Sequence, residues 1–424
     1  MNLKSRIIHR IKELWEQKVF RYALILHSFY FILSIIFFFA FYQKKNDFII
    51  FYNVGKIFLN DIENLYNQTY YLWDFRYLPL SALFFIPFSS LNFQVAFIIF
   101  NICNLFLNFL ICIVLFKIIL LIRNEDHEND DKRVILYISI YLMGLPHVLN
   151  YIYGQINLYI TLLMLLSLYI FLKYKDLKWQ LIGSIILGIS IIIKPTAFFL
   201  IPFLIIFNIN LENKRVTFNF FKSAIRIIGV IIPVLFNFIL FLLIPVIWEG
   251  FLNTNFTGNN PIALNFSFSI TKIIINFCYF YNIPFNQISI LLGVISIVGG
   301  LGFLIFIINR LEKDSIIFGY AFGVLIMLLT YFDSWDHHLL NLTPILILVI
   351  FNLPHKSEIT GSIKLSLFFF SFFDLAFIGI WYLIYPLFPY NIVPTFFLLL
   401  SFYGISKYCL QKHNEKKRNG VEID

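Results

Sequence analysis

Five short polar islands interrupt an otherwise apolar chain, and each carries a side chain able to do chemistry. Asp47, in the run Asn46-Asp47-Phe48-Ile49-Ile50-Phe51-Tyr52, is a carboxylate that can act as a general base on a sugar hydroxyl. The same residue type is favoured as a helix N-cap, which is the competing reading. Arg76 opens Arg76-Tyr77-Leu78-Pro79-Leu80. Its guanidinium can fork onto phosphate oxygens or simply anchor at an interface. Gly154-Gln155-Ile156-Asn157 reads as a tight turn, with glycine for the backbone and two amides able to bond sugar hydroxyls. Capping of the next helix by Asn157 is the alternative. Lys194-Pro195 follows the apolar run Leu187 to Ile193. A lysine against hydrocarbon is costly unless it snorkels or pairs, and a phosphate is a natural partner. Asp333-Ser334-Trp335-Asp336-His337-His338 holds two carboxylates and two imidazoles. Adjacent histidines rarely aim at one ion and no HxxH or HxxE set completes them, so no metal is expected. The histidines can instead donate hydrogen bonds to a phosphate, or the loop is interfacial with Trp335 as its aromatic anchor.

What positions these islands is a membrane. Of 424 residues, 60% are hydrophobic and 13% charged, with a mean hydropathy of +0.83. A soluble domain has about 25% charged residues, and half that share cannot cover a water-facing surface. The apolar residues come in blocks of roughly 17–25, the length that crosses ~30 Å of hydrocarbon as helix. Runs such as Ile290 to Ile308 do not alternate, which excludes a β-barrel. The expected fold is therefore all-α and polytopic, with about twelve crossings. The net charge of +9 sits in short loops between apolar blocks, so it reads as a topology signal rather than a nucleic-acid footprint. The cysteines Cys103, Cys112, Cys278 and Cys409 form no CxxC pair and read as buried thiols.

The basic residues orient the chain. Residues 1–21 form an amphipathic cytoplasmic arm with no small-residue cleavage site before the first apolar block, Tyr22 to Tyr42. Residues 22–410 form one transmembrane domain, and 411–424 a basic cytoplasmic tail. Segment 43–78 lies outside, with Phe48 to Leu59 as an interfacial helix. The stretch 79–122 could cross twice, or once after a short dipping helix at 79–90; only the second choice puts later basic loops inside. A crossing follows near 134–150; the next ends near Lys173, the next rises to Lys194-Pro195 and the next descends to Lys214 and Arg215, with later ones ending at Arg310 and Lys313 and at His355 and Lys356, and the last two near 362–385 and 391–408. This assignment gathers Asp47, Gln155, Asn157, Lys194 and His337 on the outer face.

In order and spacing the islands resemble glycosyltransferase family 87, polytopic enzymes of the GT-C fold. The shared features are an Asp-Phe-x-x-Phe-Tyr segment (Asp47, Phe48, Phe51, Tyr52), a Tyr-x-Pro-Leu helix start (Tyr77, Pro79, Leu80), the Gly-Gln-x-Asn turn at 154–157, the Lys-Pro pair at 194–195 and the Ser-Trp-x-His-His loop at 334–338. They cover residues 47–343. Characterised members are polyprenol-phosphate-mannose-dependent α-1,2-mannosyltransferases. The resemblance implies Asp47 as general base, and His337, His338, Lys194 and Arg76 as donor-phosphate residues. It implies Gln155, Asn157, Tyr52, Asn265 and Ser267 as sugar or acceptor contacts, although Asn265-Phe266-Ser267 departs from the Asn-Gln-Ser-like segment frequent in the family. It further implies a polyprenyl-phosphate-linked hexose donor, a lipid or glycan acceptor, inversion at the anomeric carbon, no metal and no other cofactor, and no nucleic-acid partner. The site would lie on the outer face of the plasma membrane among membrane lipids.

A polytopic transporter or lipid flippase is the competing class. It calls for broken helices and charges near the bilayer midplane, often in repeated halves. The polar islands here sit at helix ends, and their motifs do not repeat between halves.

Overall fold

A computed structural model describes residues 15–43, 45–122, 130–210, 215–255, 265–308, 315–354 and 357–418. The expectations resting on residues 1–14, Lys214, Arg310, Lys313, His355, Lys356 and 419–424 lie outside these.

The described chain is almost entirely helical. Helix α1, Lys18–Phe37, ends in a wide turn at Phe38–Tyr42. Helix α2, Phe48–Asn60, is the expected amphipathic element, burying Phe48, Phe51, Tyr52 and Val54. Pro79 opens a short 3₁₀ segment, Pro79–Phe84, one helical turn follows at Ile86–Ser89, and α3 then runs from Phe93 to Ile122. The stretch 79–122 is thus one long helix after short dipping turns.

Helices α4, Asp130–Met143, and α5, Pro146–Tyr153, meet at a bend of 43°. Pro146 has no N–H to give to the Leu142 carbonyl, which accepts from His27 Nδ1 at 2.9 Å instead, and this breaks what the hydropathy predicts as one helix. Helices α6, Asn157–Lys173, and α7, Leu177–Ile193, follow. Here the structure departs from the all-helical expectation. In place of an α-helix from residue 195, the chain runs as a 3₁₀ helix, Pro195–Leu204, into an antiparallel hairpin of β1, Phe207–Asn210, and β2, Arg215–Phe218, with Phe207 opposite Phe218. Pro195 and Pro202 each lack an N–H, so a regular i to i−4 ladder cannot form there.

Helices α8, Phe220–Leu243, α9, Pro245–Asn255, α10, Ile270–Phe280, and α11, Gln287–Ile308, come next. They are followed by α12, Ser315–Thr330, α13, Leu339–Asn352, and the pair α14, Glu358–Phe372, and α15, Asp374–Ile384, which bend by 65°. Helix α16, Ile392–Arg418, is the last described element.

Five of the described helices are long and apolar enough to cross a membrane, or seven spans if each bent pair counts as one. Helices α6, α7 and α12, at 16–17 residues, fall short of the ~20 needed to cross unaided. The long helices are peripheral and carry exposed apolar side chains: Phe106 and Phe109 are each 60% exposed and Leu242 81%. Such a surface suits lipid, not water. The short helices are central, and every residue of α12 that is described from Ile316 to Thr330 is buried. A helix apolar all round and buried all round is the middle of a bundle. The chain is an integral membrane protein of all-α type with one small hairpin.

Candidate active site

The site begins with a helix start that is capped by the wrong residue for the bland reading. The Oδ1 of Asn46 accepts the Ile49 N–H at 3.1 Å, while the Asp47 side chain makes no capping bond. Asp47 is therefore free to face elsewhere, and its Oδ2 accepts a hydrogen bond from Gln155 Nε2.

Gln155 is placed by its glycine. Gly154 sits in the left-handed region (φ +63°), and a Cβ there would lie 2.6 Å from Phe48 Cβ. Glycine thus serves twice, in turning the chain after α5 and in letting α2 close against the turn. The turn is braced by Asn150. Its carbonyl accepts the Gln155 N–H at 2.8 Å, its Nδ2 donates to Gln155 O at 3.2 Å, and its Oδ1 accepts from Asn157 Nδ2 at 3.3 Å. From α3, Asn101 Nδ2 donates to Tyr151 O at 3.1 Å. Asn157 does not cap α6. Its Oδ1 accepts from Lys194 Nζ at 3.0 Å.

Lys194 Nζ also lies 2.6 Å from His338 Nε2. His338 Nδ1 accepts the Trp335 backbone N–H at 3.2 Å, so the neutral ring carries its proton on Nε2, facing the lysine. In that tautomer Nζ accepts the bond as a neutral amine; in the other, a charged Nζ donates to Nε2. Burial favours the neutral amine, holding Lys194 down at about 7 against the opposing charges of Asp47 and Asp333. Burial, then the neighbouring Lys194 charge, holds His337 and His338 well below the usual imidazole range. The histidines are hydrogen-bonding groups here, not cations. Burial also pushes Asp47 up to about 6, opposed by the Gln155 bond and by Lys194. A half-buried carboxylate and a buried amine, both titrating near neutrality within one electrostatic cluster, can accept a proton on one side and receive an anion on the other.

The remaining expected residues divide. Arg76 belongs to the same surface, but its Nη1 donates to Asp333 Oδ2 at 2.8 Å, with Asp74 at 3.7 Å. It ties the first outer segment to the 331–338 loop, and its charge is already partly matched. Tyr52, Asn265 and Ser267 instead bond backbone. Tyr52 OH donates to Leu91 O at 2.7 Å, Asn265 Oδ1 accepts the Ser267 N–H at 3.1 Å, and Ser267 Oγ accepts the Ser334 N–H at 3.0 Å. In these bonds they brace the loops around the cluster rather than face it.

Four asparagines outside the expected set also contribute. Asn150 lies inside an apolar run with no motif to mark it. Asn101, Asn104 and Asn108 do carry a signal, recurring on one face of the long apolar α3 and all buried. Asn108 Nδ2 reaches Tyr151 OH at 2.9 Å, and Tyr151 OH meets His27 Nε2 at 2.8 Å. This polar network lies behind the 154–157 turn. Among the described residues no group of three or more His, Cys, Asp or Glu could hold a metal ion.

A protein-family model described as glycosyltransferase family 87 matches residues 75–331. No curated protein and no solved structure matches the chain.

Proposed function

The chain belongs to glycosyltransferase family 87, a family of membrane glycosyltransferases, and from that premise we propose that it moves a hexose, mannose, from a polyprenyl-phosphate donor to a hydroxyl of a lipid or glycan acceptor. In this reading Asp47 takes the acceptor hydroxyl proton. The acceptor oxygen attacks the anomeric carbon as the bond to phosphate breaks, and configuration inverts. Lys194 in its charged form, with hydrogen bonds from His337 and His338, stabilises the departing phosphate. Gln155 holds Asp47, and Asn157 holds Lys194. Arg76 acts on the donor phosphate from the edge, through its exposed guanidinium face.

The observation that supports this most is the chain of contacts Asp47–Gln155 and Asn157–Lys194–His338, which brings a carboxylate and an amine against one turn. The topology that accompanies it has twelve passages of one domain, 22–410, counting the shorter helices and the 3₁₀ segment, with 1–21 and 411–424 cytoplasmic and the site on the outer face of the plasma membrane. The test is a transfer assay on purified protein with radiolabelled polyprenyl-phosphate-mannose and a panel of lipid and glycan acceptors. Label reaching an acceptor with the parent protein and not with Asp47→Asn supports the reading; no transfer from any lipid-phosphate sugar, with folding verified, overturns it.

A further inference from the structure

Next to the histidine pair lies a cavity of about 100 Å³, lined in part by His337, Asp336, Trp335, Phe266 and Tyr382. Its origin is in the two broken helices. Leu145, in the break between α4 and α5, donates its N–H to Ser371 O at 2.8 Å, just before the break between α14 and α15. The two breaks are pinned together, and the segments beyond them, α5 through Leu149 and α15 through Leu375 and Ile378, form cavity walls. Irregular backbone within an apolar bundle is tolerated where it borders a cavity.

The polar groups here lack partners. Asp336 is 2% exposed, and its Oδ1 bonds nothing. The carboxyl of Asp374, also 2% exposed, lies within hydrogen-bonding range of Asp336, and neither of its oxygens has another partner. Two carboxyls in contact hold one proton between them, which leaves the oxygens that face outward as acceptors. His337 is 7% exposed and borders the same space. Buried polar atoms without partners call for an explanation, and a bound ligand is one. The walls are aromatic: Phe266 meets Trp335 edge-on at 4.6 Å and Tyr382 at 5.6 Å.

A buried carboxyl with an oxygen to spare, an imidazole and aromatic rings around one space match a polyhydroxylated ring. The hydroxyls satisfy the carboxyls, and an apolar ring face packs on an aromatic side chain. At ~30 Å³ per water the space takes about three water-sized groups, which suits the hydroxyl edge of one ring rather than a whole hexose. A metal ion is disfavoured, because these groups do not assemble into a metal-holding set. We propose that this cavity is a sugar-ring subsite, in which Asp336, backed by Asp374, and His337 bond the hydroxyls on one edge of a pyranose beside the Trp335–Phe266–Tyr382 aromatic wall. The inference rests on the transferase reading above, with the ring belonging either to the donor or to the acceptor.

The probe is methyl α-D-mannopyranoside, followed by saturation-transfer NMR on the full chain in detergent, with cyclohexanol as a ring without the hydroxyl pattern. The parent and Asp47→Asn should both show the glycoside signal. Asp336→Asn, which keeps the shape, and Leu375→Phe, which fills the space from an apolar wall, should each weaken it at least tenfold. In transfer assays both variants should raise one KM at least tenfold: the donor KM if the ring is the donor's, the acceptor KM if it is the acceptor's. The proposal is overturned if the parent shows no glycoside signal, or if whichever variant melts like the parent leaves the signal and both KM values unchanged. Should the glycoside bind through Asp336 while no lipid-phosphate sugar is ever transferred, the subsite stands and the donor assignment falls.

Discussion

The side chain of Gln155 donates to Asp47 across 108 residues of sequence, and the backbone that allows it is a single left-handed glycine, Gly154. Each of these residues had an unremarkable local explanation: a cap, a turn, a polar loop. The structure removes the capping role from Asp47 by giving it to Asn46. A carboxylate relieved of capping and held by an amide at the end of another helix is the group proposed to take the acceptor proton.

Asp47→Asn is expected to abolish transfer, by at least 10³-fold in kcat, because the base is lost while the shape is kept. The sign for stability is opposite. Burial raises the carboxyl from 3.8 to about 6, so the folded state binds more protons than the unfolded one between those pH values. Stability therefore falls as pH rises from about 4 to about 6 and stays lower above. Removing the carboxylate should relieve this by about 1–2 kcal/mol at pH 7.5, after allowance for solvent screening. Thermal melting at pH 4.5 and 7.5 checks it: a variant less stable than the parent at pH 7.5 contradicts the account.

The pH profile of kcat/KM should be a narrow bell. Activity falls below about 6 as Asp47 gains its proton and falls above about 7 as Lys194 loses its own. The two groups interact, so the limbs report the pair rather than either residue. Lys194→Arg keeps the charge at all accessible pH and should carry the basic limb beyond about pH 9. A basic limb unmoved by Arg would show that another group sets it.

Gly154→Ala tests the turn. The substituted residue would hold φ +63° with its Cβ 2.6 Å from Phe48 Cβ. Strain and clash together should cost about 2–4 kcal/mol and push α2 off the turn. Transfer should drop at least tenfold in whatever fraction folds, since Asp47 and Gln155 separate. Normal melting and normal activity would mean that the close approach does not matter.

Arg76 and Asp333 can be separated by a double-mutant cycle. Their 2.8 Å pair has side chains 33% and 25% exposed, so a coupling of about 0.5–1 kcal/mol in stability is expected. If Arg76 also reaches the donor, Arg76→Ala should raise the donor KM more than Asp333→Ala does. Equal effects would leave Arg76 a purely structural tie.

Much of this was legible from residues alone, for identifiable reasons. Hydrocarbon thickness fixes the length of an apolar block, and charge bias orients it, so the long helices α3, α8 and α11 and the amphipathic α2 could be read from pattern. The islands at Asp47, 154–157, 194 and 333–338 stood out because polar groups beside lipid are expensive. Hydropathy could not show that Pro146 breaks one apolar run, or that Pro195 and Pro202 turn another into 3₁₀ helix and hairpin, since these residues alter backbone bonding without altering hydrophobicity.

The sequence by itself determined that the chain is a multi-helix membrane protein with its unusual polar residues at helix ends, because the solvent dictates both. Only the tertiary structure decided which of those residues face one another. Tyr52, Asn265 and Ser267 have the right types but bond backbone, whereas Asn150 and Asp374, which no motif marks, and Asp336, the unassigned position of the 334–338 loop, become significant through what surrounds them. Partners of a buried polar group lie far along the chain, and the two helix breaks that meet at Leu145 and Ser371 are far apart in sequence, so no local pattern encodes their meeting.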